Sequence, residues 1–260
     1  SGIGFFQQMK ILFPILICLL VVGCGKEQST KTDQGNKTSV IAAKKNVEKE
    51  TPTSTSWVSD LSDPNNVKIE AAIRRAAKKP TGELTKVDLE KVTGLRFYHK
   101  QLTELPKGLE KLTQLTKLSL LGNRLTDVKV LEKLTQLKEL HLENNQLTEL
   151  PKGLEKLSQL TNLSLSDNQL TNVKGLEKLT QLTRLSLYRN QLTDVKGLEK
   201  LTKLTSLELR FNQLTDVKGL EKLTKLRGLY LSFNPDLTKA QIAELQKVLP
   251  KCEIGSRPKK

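Results

Sequence analysis

Seven times between Leu89 and about Leu245 the chain repeats one pattern, Leu-x-x-Leu-x-Leu-x-x-Asn-x-Leu-Thr, with starts at Leu89, Leu112, Leu134, Leu157, Leu179, Leu201 and Leu223. The period of 22 or 23 residues constrains the fold strongly. A unit that short cannot bury its own apolar face and must stack on copies of itself. In the third copy, Glu139-Leu140-His141-Leu142-Glu143, alternation predicts a strand with Leu140 and Leu142 turned inward and Glu139, His141 and Glu143 turned out. Leu134, Leu137, Leu147 and Leu150 complete that core layer, each fully buried leucine contributing about 1.5–3 kcal/mol before ordering entropy is subtracted. The return segments, Val-Lys-Gly-Leu-Glu-Lys or Leu-Pro-Lys-Gly-Leu-Glu-Lys, are too short for long helices and predict 3₁₀ turns or extended arcs. Asn123, Asn145, Asn168, Asn190, Asn212 and Asn234 form one column, whose amides can both donate to and accept from turn backbone. Lys100 breaks the column in the first copy.

An open stack exposes apolar surface at both ends and needs caps. At residues 63–88, Asp63-Pro64 reads as N-cap and first helical residue. The helix should run to about Lys79 with Val67, Ala71, Ala72, Ile73 and Ala76 inward. Thr85 and Asp88 have capping-box spacing, and Leu84, Val87 and Leu89 would close the first repeat. At residues 238–260, Thr238 and Gln241 repeat that spacing ahead of a helix to about Leu249. That helix should bury Ile242, Leu245 and Val248 or Leu249. Cys252, a small buried hydrophobe, and Ile254 would add a last short strand before a basic tail from Gly255.

Residues 1–24 differ in kind. Lys10 follows Met9, read here as the true start, and an apolar run from Ile11 to Val22 precedes Gly23-Cys24, the layout of a signal peptide. The run is shorter than the roughly 20 residues that span a bilayer. Residues 25–62 are rich in Lys, Thr, Ser, Gln, Asn and Glu with a lone aromatic, Trp57; too apolar-poor to offset chain entropy, they read as a disordered tether.

The period and pattern resemble the leucine-rich repeat family, and the helical segment before the repeats resembles the caps of bacterial internalin-like proteins. That resemblance implies an α/β solenoid. It would be a leucine-rich repeat horseshoe over residues 89–237, with a concave parallel β-sheet, short 3₁₀ or irregular convex segments and helical caps. Val21-Val22-Gly23-Cys24 resembles the bacterial lipobox, which implies that Cys24 is acylated, palmitate included, and becomes the mature N-terminus. Gly25 and Lys26 supply no aspartate for inner-membrane retention. A lipid-anchored envelope protein follows, in the outer membrane if the organism has two. No wall-sorting motif of the internalin type occurs in residues 1–260, so attachment would fall to Cys24.

The repeated columns are scaffold, so function is sought where copies differ. The outward columns read Arg96, Ser119, His141, Ser164, Ser186, Glu208, Tyr230, then Tyr98, Leu121, Glu143, Ser166, Tyr188, Arg210, Ser232, then His99, Gly122, Asn144, Asp167, Arg189, Phe211, Phe233. Tyr and Arg are favoured at interface hot spots. The candidate binding residues are therefore Arg96, Tyr98, His141, Glu143, Tyr188, Glu208, Arg210 and Tyr230, for an unidentified protein partner. A competing account is that exposed strand positions favour aromatics through sheet propensity alone. The net charge of +15 favours acidic partners. Two lysine columns, Lys107 to Lys218 and Lys111 to Lys222, support an alternative: a structural or electrostatic envelope component that binds anionic glycan or phospholipid. The glutamates from Glu110 to Glu221 beside them would offset much of that charge. Nucleic acid is not expected, and a monomer is. Glu139, His141 and Glu143 lie about 6–7 Å apart along one strand, too far to chelate one ion tightly. No nucleophile elbow, phosphate loop or HExxH motif occurs. No enzyme, metal or cofactor is expected.

Overall fold

The computed structural model describes residues 64–257. The signal-peptide, lipidation and tether expectations, and the Asp63 cap, lie outside the described residues. Two helices open the fold, α1 (Pro64–Ala77) and α2 (Lys86–Glu90). Seven three-residue strands follow at the repeat period: β1 (Gly94–Arg96), β2 (Lys117–Ser119), β3 (Glu139–His141), β4 (Asn162–Ser164), β5 (Arg184–Ser186), β6 (Ser206–Glu208) and β7 (Gly228–Tyr230). A helix, α3 (Lys239–Val248), and β8 (Glu253–Gly255) close it. All eight strands form one parallel sheet in chain order, and the expected 3₁₀ turns return the chain after β1 to β6.

The register sets Leu118, Leu140, Leu163, Leu185, Leu207 and Leu229 opposite one another. All are buried, as are Leu134, Leu137 and Leu147, while Leu150 is partly covered. Two side-chain ladders tie neighbouring repeats beyond the strands. In the asparagine ladder, Asn168 Nδ2 donates to the carbonyls of Leu142, Leu165 and Ser166 at 3.0–3.1 Å, while its Oδ1 accepts from Leu147 N–H at 3.1 Å. Each asparagine thus satisfies backbone of its own repeat and of the one before, groups that burial would otherwise make costly. At Lys100 the backbone N–H is taken instead by Asn123. A second ladder stands at the opposite end of the strands. Thr116, Thr161, Thr183 and Thr205 donate their hydroxyls to the carbonyls of Thr93, Lys138, Thr161 and Thr183.

The convex glutamates do more than offset lysine. Gly153, Gly175, Gly197 and Gly219 enter their turns with left-handed φ, and their N–H groups donate to Glu155, Glu177, Glu199 and Glu221 at 2.6–3.0 Å. In the second copy Val130 stands where the others have glycine, and the 3₁₀ turn lengthens to Lys129–Lys133. Glu132 is then free to pair with Lys156 of the next repeat at 2.6 Å.

Both caps form, with corrections to their facing. The buried stripe of α1 is Ile69, Ile73 and Ala77, flanked by Ala72 and Ala76. Val67 and Ala71 face out, because a 3.6-residue period through Ile69 and Ile73 excludes them. Val87 is also exposed, at 62%, pointing away from the core reached by Leu84 and Leu89. The Thr85–Asp88 capping box is present, and Lys79 and Lys91 bond the same carboxylate at 2.7 and 3.1 Å. Those lysines, with the Thr85 hydroxyl, hold Asp88 far below the usual carboxylate range. At the other end Thr238 and Gln241 form their box. Leu245 and Leu249 are buried, Ile242 is partly covered, and Val248 is exposed. Cys252 is buried beside β8, and desolvation raises its thiol pKa.

Candidate functional site

The outward positions line up across the sheet as strand register demands. Arg96, Ser119, His141, Ser164, Ser186, Glu208 and Tyr230 are successive partners from β1 to β7. The third column behaves differently from a strand position. His99, Gly122, Asn144, Asp167, Arg189, Phe211 and Phe233 all have positive φ, between 50° and 69°. They form the turn just past each strand, and the N–H groups of the first six still reach the next repeat, as in Asn144 to Ser166 and Phe211 to Ser232. Gly, Asn and Asp enter left-handed backbone cheaply; a β-carbon-bearing Phe or Arg does so at a cost of about 1–2 kcal/mol.

The eight expected residues separate into three groups. Arg96 and Tyr98 lie on the first repeat, both exposed and, among the described residues, apart from the other six. His141 and Glu143 pair in the third, with Nδ1 and Oε1 2.8 Å apart. Burial raises the Glu143 pKa, but His141 and the Ser164 hydroxyl outweigh it and hold the acid below its ordinary value. The same carboxylate raises the pKa of His141. Among the described residues, Glu143 Oε2 is buried without a hydrogen-bond partner. Ser164 and Ser166 are buried beside this pair and Ser186 lies partly covered, with Ser166 and Ser186 hydroxyls 2.7 Å apart.

Tyr188, Glu208, Arg210 and Tyr230 come together on the fifth to seventh repeats. Arg210 Nε and Nη2 fork onto the Glu208 carboxylate at 2.5–2.9 Å, and its guanidinium lies 5.6 and 5.5 Å from the centroids of Tyr188 and Tyr230. Tyr230 lies over glycine: a β-carbon at Gly228 would press on its hydroxyl at 3.1 Å, and one at Gly228 or Gly255 on its ring at 3.3 Å. The absence of side chains there makes room for the flat tyrosine.

The structure adds residues that type and spacing alone do not single out. Tyr188 meets Phe211 edge to face at 5.3 Å, and Phe211 stacks on Phe233 at 4.1 Å with 14° between planes. Arg189 lies over Tyr188 and Phe211, and Arg257 lies over Phe233. A signal was available in the third column, which changes from Gly, Asn and Asp to Arg, Phe and Phe in the last three copies. Among the described residues no three His, Cys, Asp or Glu side chains group to hold a metal ion. No described helix is long and apolar enough to cross a membrane.

A parallel sheet of single-period strands, an asparagine ladder and 3₁₀ returns together define a leucine-rich repeat solenoid. The chain belongs to the leucine-rich repeat region family, whose sequence model matches residues 122–253. It is similar to internalin C2 of Listeria monocytogenes, with 27% identity and a TM-score of 0.61 over 75% of this chain and 94% of that one. A leucine-rich repeat protein of Leptospira interrogans is 33% identical, with a TM-score of 0.52 over 66% of this chain and 51% of its own. The functional domain of InlJ from Listeria monocytogenes shares the fold, at 23% identity and a TM-score of 0.57 over 74% of this chain and 46% of its own. The chain thus spans about half of the latter two. No curated protein sequence matches. Leucine-rich repeat proteins of the internalin type are generally protein-interaction modules, and their fold is typically non-enzymatic.

Proposed function

We propose that this protein recognises a protein partner on its concave face and is held at the cell envelope by lipid on Cys24. One observation carries the recognition half: four aromatic side chains, Tyr188, Phe211, Tyr230 and Phe233, and three arginines from the last three repeats and the C-terminal cap form a single connected cluster at the sheet margin. Two of those aromatics hold backbone conformations that cost energy. Strain of this kind persists where surrounding structure over-determines it and collects at functional sites. The lipid half rests on the Cys24 motif alone.

The test is capture of envelope and secreted proteins at low and at about 0.5 M salt, where exposed charge attraction is screened within a few ångströms. The parent is compared with a folded Tyr188→Ser, Phe211→Asn, Phe233→Asn variant. A salt-resistant protein held by the parent and lost by the variant supports recognition; equal capture by both sinks it. The lysine columns support a second reading, attraction to anionic glycan or phospholipid. That reading requires capture that disappears in salt and ignores the concave substitutions. Acyl mass on Cys24, measured on protein from its native membrane, tests the anchor; an unmodified thiol there excludes it.

A further inference from the structure

We infer that the segment seated on the Phe211–Phe233 stack is an acidic peptide stretch of the partner protein bearing an aromatic side chain, an inference that rests on the protein-recognition reading above. The argument begins with which surfaces the rings leave open. Phe211 and Phe233 turn faces to each other, while Arg189 caps the first at 5.6 Å and Arg257 the second at 5.6 Å. What they offer outward is ring edge, the positive part of the aromatic quadrupole. Phe233 is still 46% exposed. A ring edge attracts the π-face of another aromatic and repels cations.

The arginines point to the same partner chemistry. A guanidinium lying over a ring uses its face for that contact and keeps in-plane N–H donors available for a carboxylate. Arg210 is already committed to Glu208 in a two-point bond and is framework. Arg189 is not: its one carboxylate neighbour, Asp167, lies at 3.7 Å, with the two side chains 61% and 40% exposed. Such a pair is worth little, and a partner's carboxylate can displace it. Arg257 has an aromatic contact and no ion pair within 4 Å among the described residues. The cluster therefore presents apolar edges between two replaceable cationic donors. A neutral sugar fits less well, because the two carboxylates here, Asp167 and Glu208, already face arginine and the phenylalanine ring faces are turned to each other and to arginine.

The experiment is an NMR titration of the full chain, following arginine Nε–H and aromatic signals. The probe is a doubly capped pentapeptide with a central phenylalanine and two glutamates on each side. Controls replace the phenylalanine by alanine or the glutamates by lysines, and maltohexaose and a heparin hexasaccharide serve as glycan probes. The acidic aromatic peptide should bind, with about tenfold weakening on loss of its ring, as for an anchoring aromatic, and no binding of the lysine peptide. Phe233→Asn should weaken it similarly. Arg189→Glu with Arg257→Glu should reverse the preference toward the lysine peptide, which a misfolded variant would not do. Binding indifferent to peptide charge, or unaffected by Phe233→Asn, overturns the inference. So does a glycan that moves these signals while the peptide does not. Whole-protein capture is judged separately: a partner retained by the parent and lost by the concave variant keeps the recognition reading even if the pentapeptide fails.

Discussion

Phe211 and Phe233 stack with ring centroids 4.1 Å apart while both residues sit in left-handed backbone, at φ 57° and 63°. The contact and the strain oppose each other. Replacing Phe233 with Asn relieves about 1 kcal/mol of backbone strain and loses about 0.5–1.5 kcal/mol of ring interaction. Urea denaturation should find the variant within about 1 kcal/mol of the parent. Asn144→Phe, at the equivalent position of the third repeat, should cost about 1–2 kcal/mol, since it takes on the strain without the aromatic ladder. Equal losses at both sites would mean that the stack does not offset the strain.

Gly122 shows the same column answering a different neighbour. Its φ is +69°, and an added β-carbon would fall inside the imidazole of His99 from the preceding repeat. Gly122→Ala should destabilise by about 1–3 kcal/mol through strain and overpacking together. His99→Ala alone should change little, since that side chain is exposed. In the double variant the packing part should vanish and the φ part remain, a coupling that a double-mutant cycle reads directly. Strict additivity would place His99 elsewhere than over the glycine.

The asparagine ladder should fail locally and visibly. Asn168→Ala removes the donor to Leu142, Leu165 and Ser166 carbonyls and the acceptor of Leu147 N–H. Buried backbone groups without partners cost roughly 1–3 kcal/mol each before water is admitted. A loss of about 3 kcal/mol is expected, and because a central junction is weakened, the urea transition should broaden or split as the two halves uncouple. A sharp transition with little loss would show that water replaces the amide without difficulty.

His141 provides a pH test. Glu143 raises its folded-state pKa, so the pair's contribution to stability is fully present below the unfolded histidine value near 6.5. It is lost as pH rises through the folded value. Glu143→Gln should move the His141 titration, followed by its ring NMR signals, downward. The stability gap between parent and variant should be wider near pH 5.5 than at pH 8. A titration unmoved by the substitution would break the assignment of cause.

Much of this architecture was legible because its determinants are local in type and periodic in position. Leu140 and Leu142 alternate, and Asn168 recurs one period from Asn145 and Asn190; stacking then follows without knowledge of side-chain geometry. Thr85 and Thr238 announced their helices through a spacing that two hydrogen bonds explain. The facing of Val67 and Val87 was not legible, since the phase of a short helix is set by how it docks on the first repeat. Nor was the third column. Phe211 and Arg189 are residue types that ordinarily avoid left-handed backbone, so reading them as strand positions was the cheaper local choice; the repeat overrode it. Tyr188, Glu208, Arg210 and Tyr230 could be picked out by type. Their union with Phe211, Phe233 and Arg257 depends on ring orientations that no spacing encodes.

The asparagine ladder has one more consequence. Every asparagine closes on main-chain atoms of the preceding copy, and main-chain atoms are the same in all copies. Removal or gain of one whole 22-residue unit between, for instance, Leu157 and Leu179 would leave each rung with an equivalent partner. It would, however, slide the aromatic residues relative to everything nearer the N-terminus. Gain or loss of whole repeats therefore resets the spacing of the face in steps of one strand, about 4.8 Å, without a single change to the residues that hold the stack together.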